Sequence, residues 1–406
     1  MSFTRRTILG AAGASAAAAC ATAPGRGAEH DAVVVGAGVF GAWTAEHLRR
    51  AGKRVLLVDA IGASHARASS GGESRMTRSA YGRDAIYTHM AHASLREWQA
   101  LSRRSALPLF HNCGVLFFFQ ERVDYARDSL AVHREIGLPL VQMDAAAMRA
   151  RWPQIDFSGV EFGLYEPDFG ALMARRAVQE LVRSFVRNGG EYMIAHAAPG
   201  PDGRTVLLNG QTKTADAVVY ACGPWLPKVF PDVLGHRIFV TRQEIAFVAP
   251  PDGDDRFSAS RLPGWADFNG GDLYYGFPDL EARGFKIARD THGAEFDPDT
   301  GDRRMSEEGR ALLRSFVDRR FPALTGRPFT EFRVCQYENS SNGDFLIDRH
   351  PTLEGSFLVG AGSGHGFKHG PEVGRMTADL VLGRVAAPEA RFSLATKAEE
   401  HNRSVL

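Results

Sequence analysis

The run Asp31-Ala-Val-Val-Val-Gly36, leading into Gly36-x-Gly38-x-x-Gly41, constrains the fold of this chain more than any other feature. A short unbroken apolar stretch that ends in glycine is the pattern of a parallel strand buried on both faces. The residues that follow place Ala42, Ala45 and Leu48 on one side of a predicted helix that stops at Ala51-Gly52. After it, Arg54-Val-Leu-Leu-Val-Asp59 reads as a second buried strand. Strand, glycine turn, helix and strand make a βαβ unit. Its glycines let the backbone approach a pyrophosphate at the helix N-terminus, and Asp59 is placed to accept from ribose hydroxyls. The element predicts a dinucleotide site without distinguishing FAD from NAD.

At 406 residues and 44% hydrophobic, the chain is long enough for more than one core, since single cores stop growing near ~250 to 300 residues. Helical spacing recurs over 89–104 and 171–187, and Val115 to Phe119 is a strand candidate between them. Ala217-Val-Val-Tyr-Ala221 is another buried strand, closed by Cys222-Gly223-Pro224-Trp225. Ser306 caps a predicted helix that runs to about Arg320. Phe357-Leu-Val-Gly360 leads through Gly362, Gly364 and Gly366 into a last helix opened by Pro371 and closed by Gly383. Sheet segments therefore recur far apart. The expected architecture is mixed α/β: a discontinuous Rossmann-like dinucleotide domain from 29–110, 171–238 and 338–392, interrupted by a sheet-rich substrate domain from 111–170 and 239–337. Residues 393–406 form a tail.

The 48 Lys+Arg against 47 Asp+Glu leave a net charge of +1, so no single-sign field exists to attract nucleic acid or an anionic membrane. Cys20, Cys113, Cys222 and Cys335 are too scattered for a disulfide framework, and no cysteine or histidine spacing demands a metal. Residues 1–28 read as an export signal. Arg5-Arg6 precedes Ile8-Leu9 and an Ala/Gly-rich run to Ala23, whose weakly apolar body is shorter than the ~20 residues of a membrane anchor. The adjacent arginines resemble a twin-arginine signal, which exports folded proteins to the periplasm or beyond. No stable membrane span is expected.

Several ordered motifs carry a resemblance. They are Ser69-Ser70-Gly-Gly-Glu-Ser-Arg75-Met-Thr-Arg78-Ser-Ala-Tyr81, Tyr165-Glu-Pro-Asp-x-Gly170, Gly223-x-Trp225, Tyr274-Tyr275-Gly-Phe-Pro278, Gly284-Phe-Lys286, Cys335-x-Tyr337, Asp344-Phe-Leu-Ile-Asp348-x-His350-Pro351 and Gly362-Ser-Gly-His-Gly-Phe-Lys368. From about residue 30 to 390 the chain resembles the monomeric sarcosine oxidase family within the D-amino-acid-oxidase-like flavoproteins. The resemblance implies FAD, a monomer, and oxidation of a secondary amino acid. In that chemistry hydride passes from the carbon beside a neutral amine to flavin, and O2 then returns as H2O2.

It also implies roles. Gly36, Gly38, Val39, Phe40, Gly41, Asp59, Ala60, Ser70, Arg75, Thr77, Gly362, Gly364, Gly366 and Lys368 would contact FAD. Cys335 would form a thioether to the flavin 8α-methyl, its alternative being a buried free cysteine. Arg78 and Lys368 would grip a substrate carboxylate. Lys286 would promote reaction with oxygen, and Tyr275 and Tyr337 would line the substrate side. Two positions depart from the pattern. Asp290 stands where an active-site histidine is expected after the lysine, which His292 offsets only if the loop shifts, and Gly71 replaces a histidine near the flavin. Two other readings share the motifs: an amino-acid dehydrogenase of the same fold passing electrons to a quinone or carrier, and a flavin-binding protein without turnover. The set Arg78, Lys286, Cys335 and Lys368 argues against the second.

Overall fold

The computed structural model describes residues 28–269, 273–291 and 293–399. The N-terminal residues 1–27, with Cys20 and the arginine pair, and His292 lie outside the described residues.

Strand β1 (His30–Val35), helix α1 (Val39–Arg50) and strand β2 (Val55–Asp59) form where the sequence places them. β1 lies between β2 and the strand Gln211–Tyr220, parallel to both, with Val34 opposite Leu57 and Val219. Glu191–Ile194 extends the sheet parallel to β2, and Ser356–Gly360 extends it on the other side, parallel to Gln211–Tyr220. Strands adjacent in this sheet thus come from distant parts of the chain. Covered on both faces, β1 has no solvent side to alternate toward, and Val33 and Val34 are fully buried. One cover is α1 packed on the last helix, Gly370–Val381. Trp43 of α1 meets Trp98 edge-on at 5.3 Å, which brings in the helix Ala85–Arg103.

A second sheet has eight strands in the order Phe329–Ser340, Ile238–Val248, Phe285–Asp290, Leu273–Phe277, Gly264–Asp267, Val115–Phe119, Phe162–Glu166 and Val141–Asp144. Period-2 alternation divides its faces. Ala246, Val248, Trp265, Phe285 and Ile287 pack a core under the helix Glu307–Arg320, capped by the Ser306 hydroxyl, which accepts from the Gly309 N–H at 3.0 Å. The other face carries Tyr275, Lys286, Asp290, Cys335 and Tyr337, and it looks toward the first sheet's glycine turn.

A three-stranded sheet, Arg75–Thr77, Gly170–Leu172 and Phe110–His111, joins these parts. It corrects one expectation. The helix expected over 171–187 begins only at Ala174, because Gly170–Leu172 pairs as a strand. A three-residue apolar strand running into an apolar-faced helix shows no change of period. The helix expected from residue 89 starts earlier, at Ala85.

Candidate functional site

A cavity of about 730 Å³ runs from the end of β2 to Cys335. Its walls include Gly36, Gly38, Val39, Phe40, Asp59, Ala60, Ser70, Arg75, Cys335, Tyr337, Gly362, Gly364 and Gly366. Gly41, Thr77 and Lys368 are not on the wall. The place of a Cβ on Gly41 is filled by the Gly36 carbonyl, and Gly36, at φ +105°, stands against the Ala221 carbonyl in the same way. These two glycines close the turn onto the sheet. Gly38 is the one that leaves room, with only the Ser70 hydroxyl, at 3.5 Å, near its missing Cβ. Thr77 is fully buried.

The glycine turn opens α1 without a side-chain cap, and Gly38, Val39 and Phe40 at that start line the cavity, an arrangement that suits an anion. One of them is already used, since Val39 N–H donates to the Ser70 hydroxyl at 3.0 Å. The Asp59 carboxylate accepts from the N–H groups of Ala37, Ile61 and Gly62 at 2.8 to 3.0 Å, which fixes it at the cavity wall. A positive helix end, an oriented carboxylate and a long trough fit a dinucleotide.

At the far end, Arg75 donates to the Ser69 carbonyl at 2.6 Å and reaches the Cys335 sulfur at 3.3 Å. Lys286 lies outside the main cavity, on a neighbouring space of about 20 Å³ that Arg75, Cys335 and Gly71 also line. Its ammonium donates to the Ser74 carbonyl at 2.9 Å. Burial, and after it the Arg75 charge, push Lys286 well below the ordinary lysine value. Gly71 has no space for a side chain on this backbone, because its Cβ would collide with the His65 carbonyl.

Arg78 and Lys368, distant in sequence, converge on one ring. The Arg78 guanidinium sits 4.1 Å and the Lys368 ammonium 5.2 Å from the centre of Tyr81. Lys368 is buried, donates to the His365 carbonyl at 2.8 Å, and is pushed well below its ordinary value by burial and by Arg78. Its loop is pinned from behind, where Trp98 stacks on Phe367 at 5.5 Å and donates to the Lys368 carbonyl at 2.9 Å. The Tyr81 hydroxyl in turn lies 2.8 Å from His369 Nε2 and 3.1 Å from His365 Nδ1.

The Tyr275 and Tyr337 hydroxyls are 3.4 Å apart. Burial and then the Asp290 carboxylate push Tyr275 up to about 12, and the same two causes raise Tyr337 well above its usual value. Asp290 also acts on Arg78 and Lys368, together with Glu166, which accepts from the Ser79 N–H and hydroxyl at 2.6 Å each. The two cations therefore do not face each other uncompensated, as the sequence alone suggests.

Sequence reasoning missed Glu338, Gln336 and Ser69 on the cavity wall and the His365–Tyr81–His369 cluster behind it. The alternation of Cys335 and Tyr337 already implies that Gln336 and Glu338 face the other way. Because Phe329–Ser340 is the edge strand, the cavity reaches both of its faces. No group of three or more potential metal ligands occurs among the described residues.

A family model described as FAD dependent oxidoreductase matches residues 31–380. Monomeric sarcosine oxidase of Streptomyces avermitilis is 31% identical over 373 residues, covering 89% of this chain and 96% of that protein. N-methyl-L-tryptophan oxidase of Salmonella heidelberg is 26% identical over 365 residues, covering 88% and 95%. L-proline dehydrogenase from P. horikoshii shares the fold with a TM-score of 0.77 at 19% identity, over 91% of this chain and 97% of that one.

Proposed function

The chain belongs to the FAD dependent oxidoreductase family, and from that premise we propose that it oxidises the C–N bond of a secondary amino acid, N-methyl or cyclic, with O2 as the final acceptor and H2O2 as product. FAD supplies the hydride acceptor when bound, and the protein supplies position and field. The observation that carries the reading is the convergence of Arg78 and Lys368 on the Tyr81 ring, beside the paired Tyr275 and Tyr337 hydroxyls.

Two cations on one ring, Lys368 buried and Arg78 half-buried, form a receptor for a small anion, and the guanidinium fork and ammonium together match the two oxygens of a carboxylate. Lys368 gains most from such a guest, since burial and Arg78 both destabilise its charge. Holding the carboxylate there turns the amine-bearing carbon toward the face that carries Tyr275 and Tyr337. Their raised values keep both hydroxyls neutral near pH 7, so they act as hydrogen-bond donors or acceptors to the amine rather than as anions. Asp290 on the same face favours a substrate with an added hydroxyl or cationic group, which weighs against sarcosine itself.

Anaerobic bleaching of the flavin by N-methyl, cyclic and primary amino acids of both hands tests the reading. Charge-assisted bonds contribute roughly 1.5 to 3 kcal/mol each, so Arg78→Ala or Lys368→Ala should weaken substrate binding by about one to two orders of magnitude. Unchanged affinity, or a best substrate without a carboxylate, rejects it.

The amino-acid dehydrogenase keeps the same grip on substrate and differs in its acceptor. Lys286 beside Arg75 favours O2. We also propose that Cys335 holds the flavin covalently, that the chain is exported by the twin-arginine route, and that it acts as a monomer.

A further inference from the structure

Glu338 has no part in that reading, yet it lies on the cofactor cavity and is buried, at 7% exposure. On the edge strand Phe329–Ser340 it faces away from Tyr337, toward the loops after Tyr220 and Gly360. Its Oε1 accepts one long hydrogen bond, 3.4 Å, from Gly362 N–H. Its Oε2 is buried with no hydrogen-bond partner among the described residues. Neither lysine nor arginine stands among the groups acting on it, which are burial and the N–H groups of Gly362 and Ala361.

The surroundings point to a ligand. Oε2 is the atom nearest the place of a Cβ on Gly223, at 3.9 Å, and Oε1 is the nearest for Gly362, at 3.7 Å. Both glycines line the cavity, so the carboxyl borders two hollows that the chain itself leaves open. Phe40, against Gly362, and Leu226, against the neighbouring Gly360, are apolar. Cys222, the titratable group that feels Glu338 together with Asp59, is raised to about 12 by burial first and stays a neutral thiol.

A buried carboxyl in such a place avoids its charged form, and a neutral carboxyl carries an O–H donor. A carboxylate, by contrast, has only acceptor oxygens to offer the oxygens of a bound dinucleotide. We propose that Glu338 is a cofactor-binding residue that donates, as a neutral acid, to an oxygen of bound FAD and admits the cofactor fully only in that protonated state. The assignment rests on the FAD site and is independent of which amine is oxidised. Burial pushes Glu338 up to about 8, so its proton is retained at neutral pH and lost under mildly alkaline conditions.

The sign follows from linkage. FAD binding favours the protonated form, so affinity is full well below the raised value and falls as pH rises through it, approaching tenfold per pH unit for one linked proton. The experiment uses the full chain with Cys335→Ser, so that any flavin held is held reversibly, and reads the dissociation constant by flavin fluorescence between about pH 6 and 10, the range that brackets an acid raised this far. Affinity should be flat up to about pH 8 and then decline. Adding Glu338→Gln, a donor at every pH, should remove the decline and keep neutral-pH affinity within a few-fold, whereas Glu338→Leu should weaken binding at neutral pH while the melting temperature of the flavin-free chain is preserved. A decline that persists unchanged in Glu338→Gln, or its absence in the Cys335→Ser chain, overturns the proposal.

Discussion

Lys286 is held by a peptide carbonyl and not by a carboxylate. Such a contact orients an ammonium without neutralising it, and burial beside Arg75 leaves the charge poorly compensated. A cation in that state gains most when negative charge develops next to it, which is the situation as oxygen takes its first electron. Stopped-flow reoxidation by O2 should therefore slow by orders of magnitude in Lys286→Met, while reduction by substrate changes less. Sluggish reoxidation already in the wild type would favour the dehydrogenase. The motif Gly284-Phe-Lys286 made this lysine legible by resemblance, but not its neighbours. Ser74 and Arg75 reach it from a part of the chain whose contact with it no local pattern encodes. Glu338 was invisible for a related reason: an acidic residue in an alternating strand reads as solvent-facing until the strand is known to be an edge walled in by two glycine loops.

At the scale of elements, the strand Phe329–Ser340 does most to join cofactor to substrate. It presents Cys335 and Tyr337 from one face and Gln336 and Glu338 from the other, while Ser69 donates to its Gln336 carbonyl at 2.9 Å. Covalent attachment through Cys335 has a direct check. The denatured chain should carry an FAD-sized mass increment that Cys335→Ser abolishes even if FAD still binds, and a wild-type chain that releases all its flavin disproves the linkage. β1, α1 and β2 were readable because burial on both faces, a glycine turn and a 3.6-residue period each leave a distinct mark. The second sheet was less so. Its strands between residues 239 and 300 mix polar and apolar positions, and their order depends on pairings such as Phe247 with Lys286 that the sequence does not announce. The expected helix start near residue 171 failed at a boundary, where period is weakest as a guide.

For the whole molecule, the proposed export rests on residues 1–28. Fractionation of cells expressing the full chain beside an Arg5→Lys, Arg6→Lys variant checks it, the wild type appearing processed in the periplasm and the variant remaining inside. Retention of an uncut wild type in a host with a working twin-arginine system rejects it. No helix among the described residues is long and apolar enough to cross a membrane. The sheet that holds the cofactor also sets a timetable. β1 leaves the ribosome before its neighbour Gln211–Tyr220 is made, and Ser356–Gly360 follows later. The loop from Gly362 to Gly366 and the helix Gly370–Val381, which close the cavity and pack on α1, come later still. A growing chain therefore carries its glycine turn with no pocket behind it until those elements are made, and such long-range closure is slow. Flavin capture is therefore expected to wait for these last elements, and a chain that stalls before the helix Gly370–Val381 should build both sheets in part and retain no cofactor.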